Sequence, residues 1–221
     1  MPHLRWFFAT LLFAIAPSVW GADEGWRLEK DDDGIQICTR AVDGWSIREI
    51  RGVTRFQGHL SSLVAVIGDI SASPELNEFV VKSSVEKRDS DTRYQVYSLT
   101  DMPWPLTDRD ILIQRQIAQD PTTLAVAIAD VATQDIMPVK EGLVRIVRSR
   151  TQWTLTPAAD GSVLVELRML SDPAGPIPPS LLNALSISTP FKTLAKLKEL
   201  AQRPKYAQAR LAFIREATGG M

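Results

Sequence analysis

Cysteine is all but missing from this chain: among 221 residues there is one, Cys38. A single cysteine excludes an intramolecular disulfide, so stability has to come from a packed core. Cys38 itself reads as a half-buried strand residue. Histidine is nearly as scarce, with only His3 and His59. His59 opens a helical stretch, where a surface or capping place is expected. A Ser–His–Asp triad would have to be built on it, and a zinc site would need it together with Cys38 and carboxylates from separated elements. No HExxH, GxSxG or phosphate-loop pattern is present. Excess positive charge is also lacking: 25 Lys and Arg stand against 26 Asp and Glu, a net charge of −1. Nucleic-acid binders carry a basic patch or stripe, so no nucleic-acid partner is expected. The Asp31–Asp33 run lacks the further spaced oxygen ligands of a calcium loop and reads as a solvated turn. Neither a metal nor a cofactor is expected. Two-carboxylate chemistry stays open, because acids distant in sequence can converge.

Long apolar runs are absent except at the start. MPHLRWFFATLLFAIAPSVWG has a short basic opening at Arg5, an apolar run from Trp6 to Ala16, then Pro17 and the small residues Ser18 and Gly21. This is the layout of a secretory signal peptide over residues 1–21, with cleavage after Gly21. The run is short of the roughly 20 residues that span a bilayer; an uncleaved N-terminal anchor is the alternative. A periplasmic or secreted location is expected. The remaining chain, about 200 residues, is enough for one domain with its own core. It divides into a domain over 22–203 and a helical tail over 204–221.

No internal repeat or low-complexity linker interrupts the pattern. WRLEKDDDGIQICTR reads as two strands joined at Asp33-Gly34, a strong hairpin signal, and WSIREIRGVTRF as a third. Leu60, Leu63, Val64 and Ile67 then recur at helical spacing, and Ser73-Pro74 opens a second short helix. Six candidate strands follow: 80–88, 93–100, 109–118, 124–130, 143–156 and 163–170. Turn signals at Asp120-Pro121, Pro138 and Asp160-Gly161 separate several of them. From Pro178 the chain is helical, with Leu181, Leu185, Phe191, Leu194 and Leu197 on one stripe. Pro190 should kink or interrupt this helix, and a short helix over 206–215 is expected to follow as a tail. The fold class is α+β. Nine mostly antiparallel strands must curl strongly, and the long helix against the concave face leaves a cavity between them.

One loop stands out. DMPWPLTDRD, residues 101–110, brackets a Trp with two prolines where a hairpin would ordinarily carry Asn-Gly or Asp-Gly. Pro103 and Pro105 hold the backbone extended and remove two donors. Met102, Trp104 and Leu106 can then project as apolar plugs, or Trp104 can pack the loop onto the core.

DGIQICTR (33–40), PWPLTDRD (103–110), MPVKEGLVR (137–145) and DPAGPIPPSLLNAL (172–185), in this order, resemble the START domain, the lipid-transfer domain related to steroidogenic acute regulatory protein, in its bacterial exported form. The resemblance implies the helix-grip fold: a curved antiparallel sheet, here of about nine strands with two short helices, gripping a long C-terminal helix around a hydrophobic cavity. It implies a lipid-binding or lipid-transfer protein whose cavity is gated by the 101–108 loop and that helix. The partners implied are a lipid or other hydrophobic small molecule, with possible transient membrane contact; a monomer is expected. A cyclase- or hydrolase-like enzyme using the same cavity is the alternative, since fold alone does not decide function; a ligand-free structural or partner-binding protein is a third. No catalytic residues are assigned.

The candidate ligand-binding residues are Tyr97, Leu99, Met102, Trp104, Leu106, Ile111, Ile113, Arg115, Leu182 and Leu185. Alternation puts Arg109, Ile111, Ile113, Arg115 and Ile117 on one face of their strand, expected to be the inward one. In steroid- and phospholipid-binding members an Arg near this position pairs with a Glu on the preceding strand. Here RYQVYSLT has no acid, and Tyr97 is the nearest equivalent. Arg115 therefore meets an anionic headgroup, reaches an opening, or pairs with another acid such as Glu166. Asp108-Arg109-Asp110 is expected to fix the start of the strand.

Overall fold

The computed structural model describes residues 25–134 and 137–217. The segment read as an export signal lies outside them. Ten strands form one sheet, and a helix lies across its concave face. β1 (Arg27–Asp32), β2 (Ile35–Ala41) and β3 (Arg48–Gln57) come first. They are followed by α1 (Leu60–Gly68), a 3₁₀ turn at Ile70–Ala72 and α2 (Ser73–Leu76). Then come β4 (Val80–Ser90), β5 (Arg93–Thr100), β6 (Arg109–Gln119), β7 (Val126–Ala132), β8 (Val144–Ile146), β9 (Ser149–Pro157) and β10 (Ser162–Ser171). α3 (Pro179–Ala201) and α4 (Pro204–Ala207) close the chain.

The strand order is β1-β2-β3-β10-β9-β7-β6-β5-β4. Every pairing is antiparallel except that of β8, which runs parallel to the first residues of β6. The expected strand over 143–156 is thus two strands. The chain leaves β6 at Ile146, turns through Val147-Arg148, and rejoins the sheet as β9 beside β10 and β7. The expected helix over 206–215 is confined to four residues. The rest of the tail turns once, with Ile214 N–H donating to Leu211 O, and is held by anchors of its own: Gln119 binds both the N–H and the carbonyl of Arg215, and Glu216 accepts the N–H groups of Leu60 and Ser61 at the start of α1.

Cross-strand register sorts the inner face into rows. One row runs Ile117–Ile128–Trp153–Leu167–Gly52–Ile37, and the next Val126–Leu155–Val165–Thr54. All of these are buried, several completely. They form the main core with Leu63, Val64 and Val66 of α1 and Leu194, Leu197 and Leu200 of α3. Gly52 makes the close approach of the helix possible: a Cβ there would stand 2.6 Å from Leu194 Cδ1. Pro190 does not interrupt α3, which runs unbroken through it. The proline is itself buried, and packing of the following turns holds the helix together across the missing donor.

Candidate functional site

The packing changes along the strands. The 101–108 loop joins the end of β5 to the start of β6, and α3 begins just after the end of β10, so all three meet at one end of the sheet, the lid end. Toward that end the inner face is no longer solid. Ile111, Ile113, Ile50, Met169, Ser98 and Thr100 are only half-buried, as are Leu181, Leu182 and Leu185 in the first turns of α3. The second half of α3 packs on β2, β3 and α1. The first half continues past these contacts toward the lid end.

A charged row marks the change of burial along β6. Arg115 stands opposite Asp130, between Tyr94 on one side and Thr151 on the other. Its Nε and Nη2 donate to the two Asp130 oxygens at 2.7 and 2.6 Å, and its Nη1 donates to the Ile67 carbonyl of α1 at 2.5 Å. Both side chains are about nine-tenths buried. Burial alone would lower the pKa of the guanidinium; the attraction of Asp130 outweighs it, and the pKa stands raised. Arg115 is thus inward, as alternation predicts, but its partner comes from the following strand. Glu166 serves Arg51 and Arg168 instead. A usable signal for Asp130 lay in the sequence: in VAIADVA it shares inward parity with Val126 and Ile128, an acid in a line of core residues.

The acid–Arg–acid triplet has three separate tasks. Asp108 accepts the Met102 N–H at 3.1 Å, which closes the base of the loop. Arg109 is almost fully buried and donates to the carbonyls of Thr107, Pro173 and Ala174. One guanidinium therefore ties the loop to the segment that leads into α3. Burial lowers its pKa. Asp110 lies on the opposite face and pairs with Arg145, which also binds the carbonyls of Met137 and Pro138. That second buried pair pins the segment between β7 and β8 over the outer face, where Lys140 sits 4.1 Å above the Tyr97 ring.

The predicted site residues are only partly brought together. Ile111, Ile113 and Arg115 share the inner face, and Leu182 and Leu185 are half-buried on α3. Tyr97 and Leu99 do not belong with them. Their register partners are Leu112 and Asp110, so they project to the outer face, and Tyr97 is buried there beneath the β7–β8 segment. The reason is parity: Tyr94, Val96 and Ser98 are the inward residues of β5. Met102 and Leu106 are half-buried, but Trp104 is 92% exposed. A turn closed by Leu106 N–H to Pro103 O at 3.0 Å, with a cis Trp104–Pro105 peptide, puts Trp104 at its tip. Trp104 is therefore neither plug nor core; it projects into solvent from the rim. Asn183, one turn into α3, is exposed.

A separate cleft of about 820 Å³ opens at the far end of the sheet, among the β3–α1 turn, the β6–β7 and β9–β10 turns and the tail. Its wall is turn backbone with His59, Thr122, Asp160, Arg210 and Glu216, and the solid core separates it from the lid. Among the described residues no group of His, Cys, Asp and Glu is arranged to hold a metal.

No family model matches the chain. An uncharacterized protein of Pseudomonas aeruginosa is 27% identical over 88% of this chain and 95% of its own length. The crystal structure of human STARD10, 20% identical, superposes with a TM-score of 0.72 over 83% of this chain and 76% of that one, and shows a shared fold. A STAR-related lipid transfer protein of Xanthomonas axonopodis is 33% identical, with a TM-score of 0.74 over 81% of this chain and the whole of the other. With the C-terminal helix gripped by one antiparallel sheet and Arg115 facing inward in the same chain, that likeness has one meaning: the protein belongs to the StAR-related lipid transfer (START) family.

Proposed function

We propose that this protein binds a lipid at the lid end of the sheet, between β5–β6 and the first half of α3, and carries or presents it outside the cytoplasm. The observation that supports this most is the change of packing along one continuous inner face. That face is sealed on the far side of Arg115–Asp130, whereas Ile111 and Ile113 on the lid side are half-buried, as are Met169 and Ile50, which continue the charged row across β10 and β3. Half-exposed aliphatic residues under a helix gain from covering; filling the space with a hydrocarbon returns roughly 25 cal/mol for each Å² removed from water.

The loop and the start of α3 are the moving parts of this reading, and Arg109 is the clamp between them. Trp104, flanked by exposed Pro103 and Pro105 at the rim, suits a transient membrane contact, since a Trp ring is at home where one side is apolar and the other wet. The inward charges favour binding over acid–base chemistry, because Arg115 and Asp130 spend their charge on each other. Native mass spectrometry of the purified protein is the direct test. Co-purified lipid, or stoichiometric uptake from vesicles, is the expected outcome. A bare mass with no uptake from any lipid source would defeat the proposal. Export is part of it: the protein recovered from the cell envelope is expected to begin at or next to Ala22, and N-terminal sequencing decides.

A further inference from the structure

We infer that the ligand is a single-chain amphiphile, held with its polar end at the lid and its tail ending on the Arg115–Asp130 pair; this rests on the lipid-binding reading above. The pair is a floor, not a headgroup site. Arg115 spends Nε and Nη2 on Asp130 and Nη1 on the Ile67 carbonyl, so it braces the sheet against α1 across the interior. Directly beneath, Ile117 and Ile128 are buried, and α1 and α3 close over them. A tail cannot pass without opening the core.

Depth follows from the register. The strand from Arg115 up to Arg109 rises about 20 Å at roughly 3.3 Å per residue. A fully extended chain advances about 1.2 Å per bond, a third of an extended residue's span, so the chamber takes a tail of about 16 carbons. Width allows one such tail. Ile111 and Ile113 form a single apolar lane on β6, and the other half-exposed pair, Met169 and Ile50, is separated from it by Asp130 and Thr151 in the charged row. Polarity sets the direction. Val96 and Ala132 flank Ile113 next to the floor, whereas Ser98, its hydroxyl 2.9 Å from that of Ser83, and Thr100 lie nearer the lid.

Delipidated full-length protein titrated with saturated fatty acids from about 8 to about 22 carbons tests this, with dipalmitoyl phosphatidylethanolamine as the two-chain probe. Affinity is expected to rise about threefold to fourfold for each added CH₂ and to stop rising near about 16 carbons. The two-chain lipid is expected to bind at least about tenfold more weakly than palmitate. Ile128→Ala, which excavates beneath the floor, is expected to move the break to longer chains; the wild-type series stands without it if that variant does not fold. A rise that continues past about 20 carbons, or tighter binding of the two-chain lipid, overturns the floor and leaves lipid binding intact. Uptake of neither probe defeats the lipid-binding reading itself, and this inference with it.

Discussion

Arg115 and Asp130 illustrate how a buried charge survives in an apolar wall. Each is expensive alone, and each satisfies the other through two short hydrogen bonds. Asp130→Asn or Arg115→Met should therefore destabilise the fold by about 3–5 kcal/mol, because the remaining group is left without its counter-charge. The double replacement Arg115→Met with Asp130→Leu should recover most of that loss. Urea midpoints of the three variants check this, and single variants as stable as wild type would show the pair to be slack. Trp104 is the opposite case. With 92% of its surface in solvent, Trp104→Ala should leave stability within about 0.5 kcal/mol of wild type. Its sedimentation with phospholipid vesicles should fall clearly. A variant that melts many degrees lower would place Trp104 in the core, against its exposed position.

At the scale of elements, two joints decide whether the helices stay on the sheet. The first is the contact of α3 with β3 at Gly52, where a methyl group would have to displace Leu194. Gly52→Ala should cost about 1–3 kcal/mol by overpacking, read as a lower denaturation midpoint with an unchanged slope. The second is Asp69, between α1 and the 3₁₀ turn, which accepts from Lys205, Tyr206 and Ser71. Burial pulls its pKa upward, but Lys205 and the two hydroxyls overcome this and bring it down to about 2. A depressed carboxyl contributes stability that is fully present above its unfolded pKa of about 3.9 and is lost as the pH falls toward 2. With allowance for partial exposure the contribution is on the order of 1–2 kcal/mol. Asp69→Asn should remove it, so that wild type and variant differ at neutral pH and converge near pH 2. A constant difference between them down to the lowest pH would contradict the assignment.

For the whole molecule, the one inner face is buried on the far side of the charged row and half-buried on the lid side, where the proposed ligand would sit. A ligand seated there binds only the folded state, so it should raise the melting temperature. Saturation at about a hundred times Kd is worth about 2.7 kcal/mol. A thermal-shift series against lipid concentration reads this directly, and no shift at saturating lipid would mean that the bound lipid is not enclosed by the fold. Cys38, half-buried on β2 with its thiol pKa pushed up by burial, takes no part in this, in keeping with its reading as a plain strand residue.

Much of this was legible before any coordinates. Period-two runs, the Asp33-Gly34 hairpin and the leucine stripe of α3 are local signals, because alternation and helical spacing are written residue by residue. They sufficed for the order of elements, for the inward parity of Arg115, and for a loop unlike a hairpin turn at 101–108. The identity of the partner of Arg115 was not local. Asp130 meets it only because β6 and β7 pair in one register among several that the chain allows, and a shift of one residue would turn the acid outward. The same holds for Tyr97: its outer placement follows from which β5 residues oppose Arg115 and Ile113, a matter of pairing and not of composition. Where the core is solid and where it opens depends on how far α1 reaches under α3 and on a single missing Cβ at Gly52. Those are distances between elements far apart in the chain, and only the tertiary structure decides them.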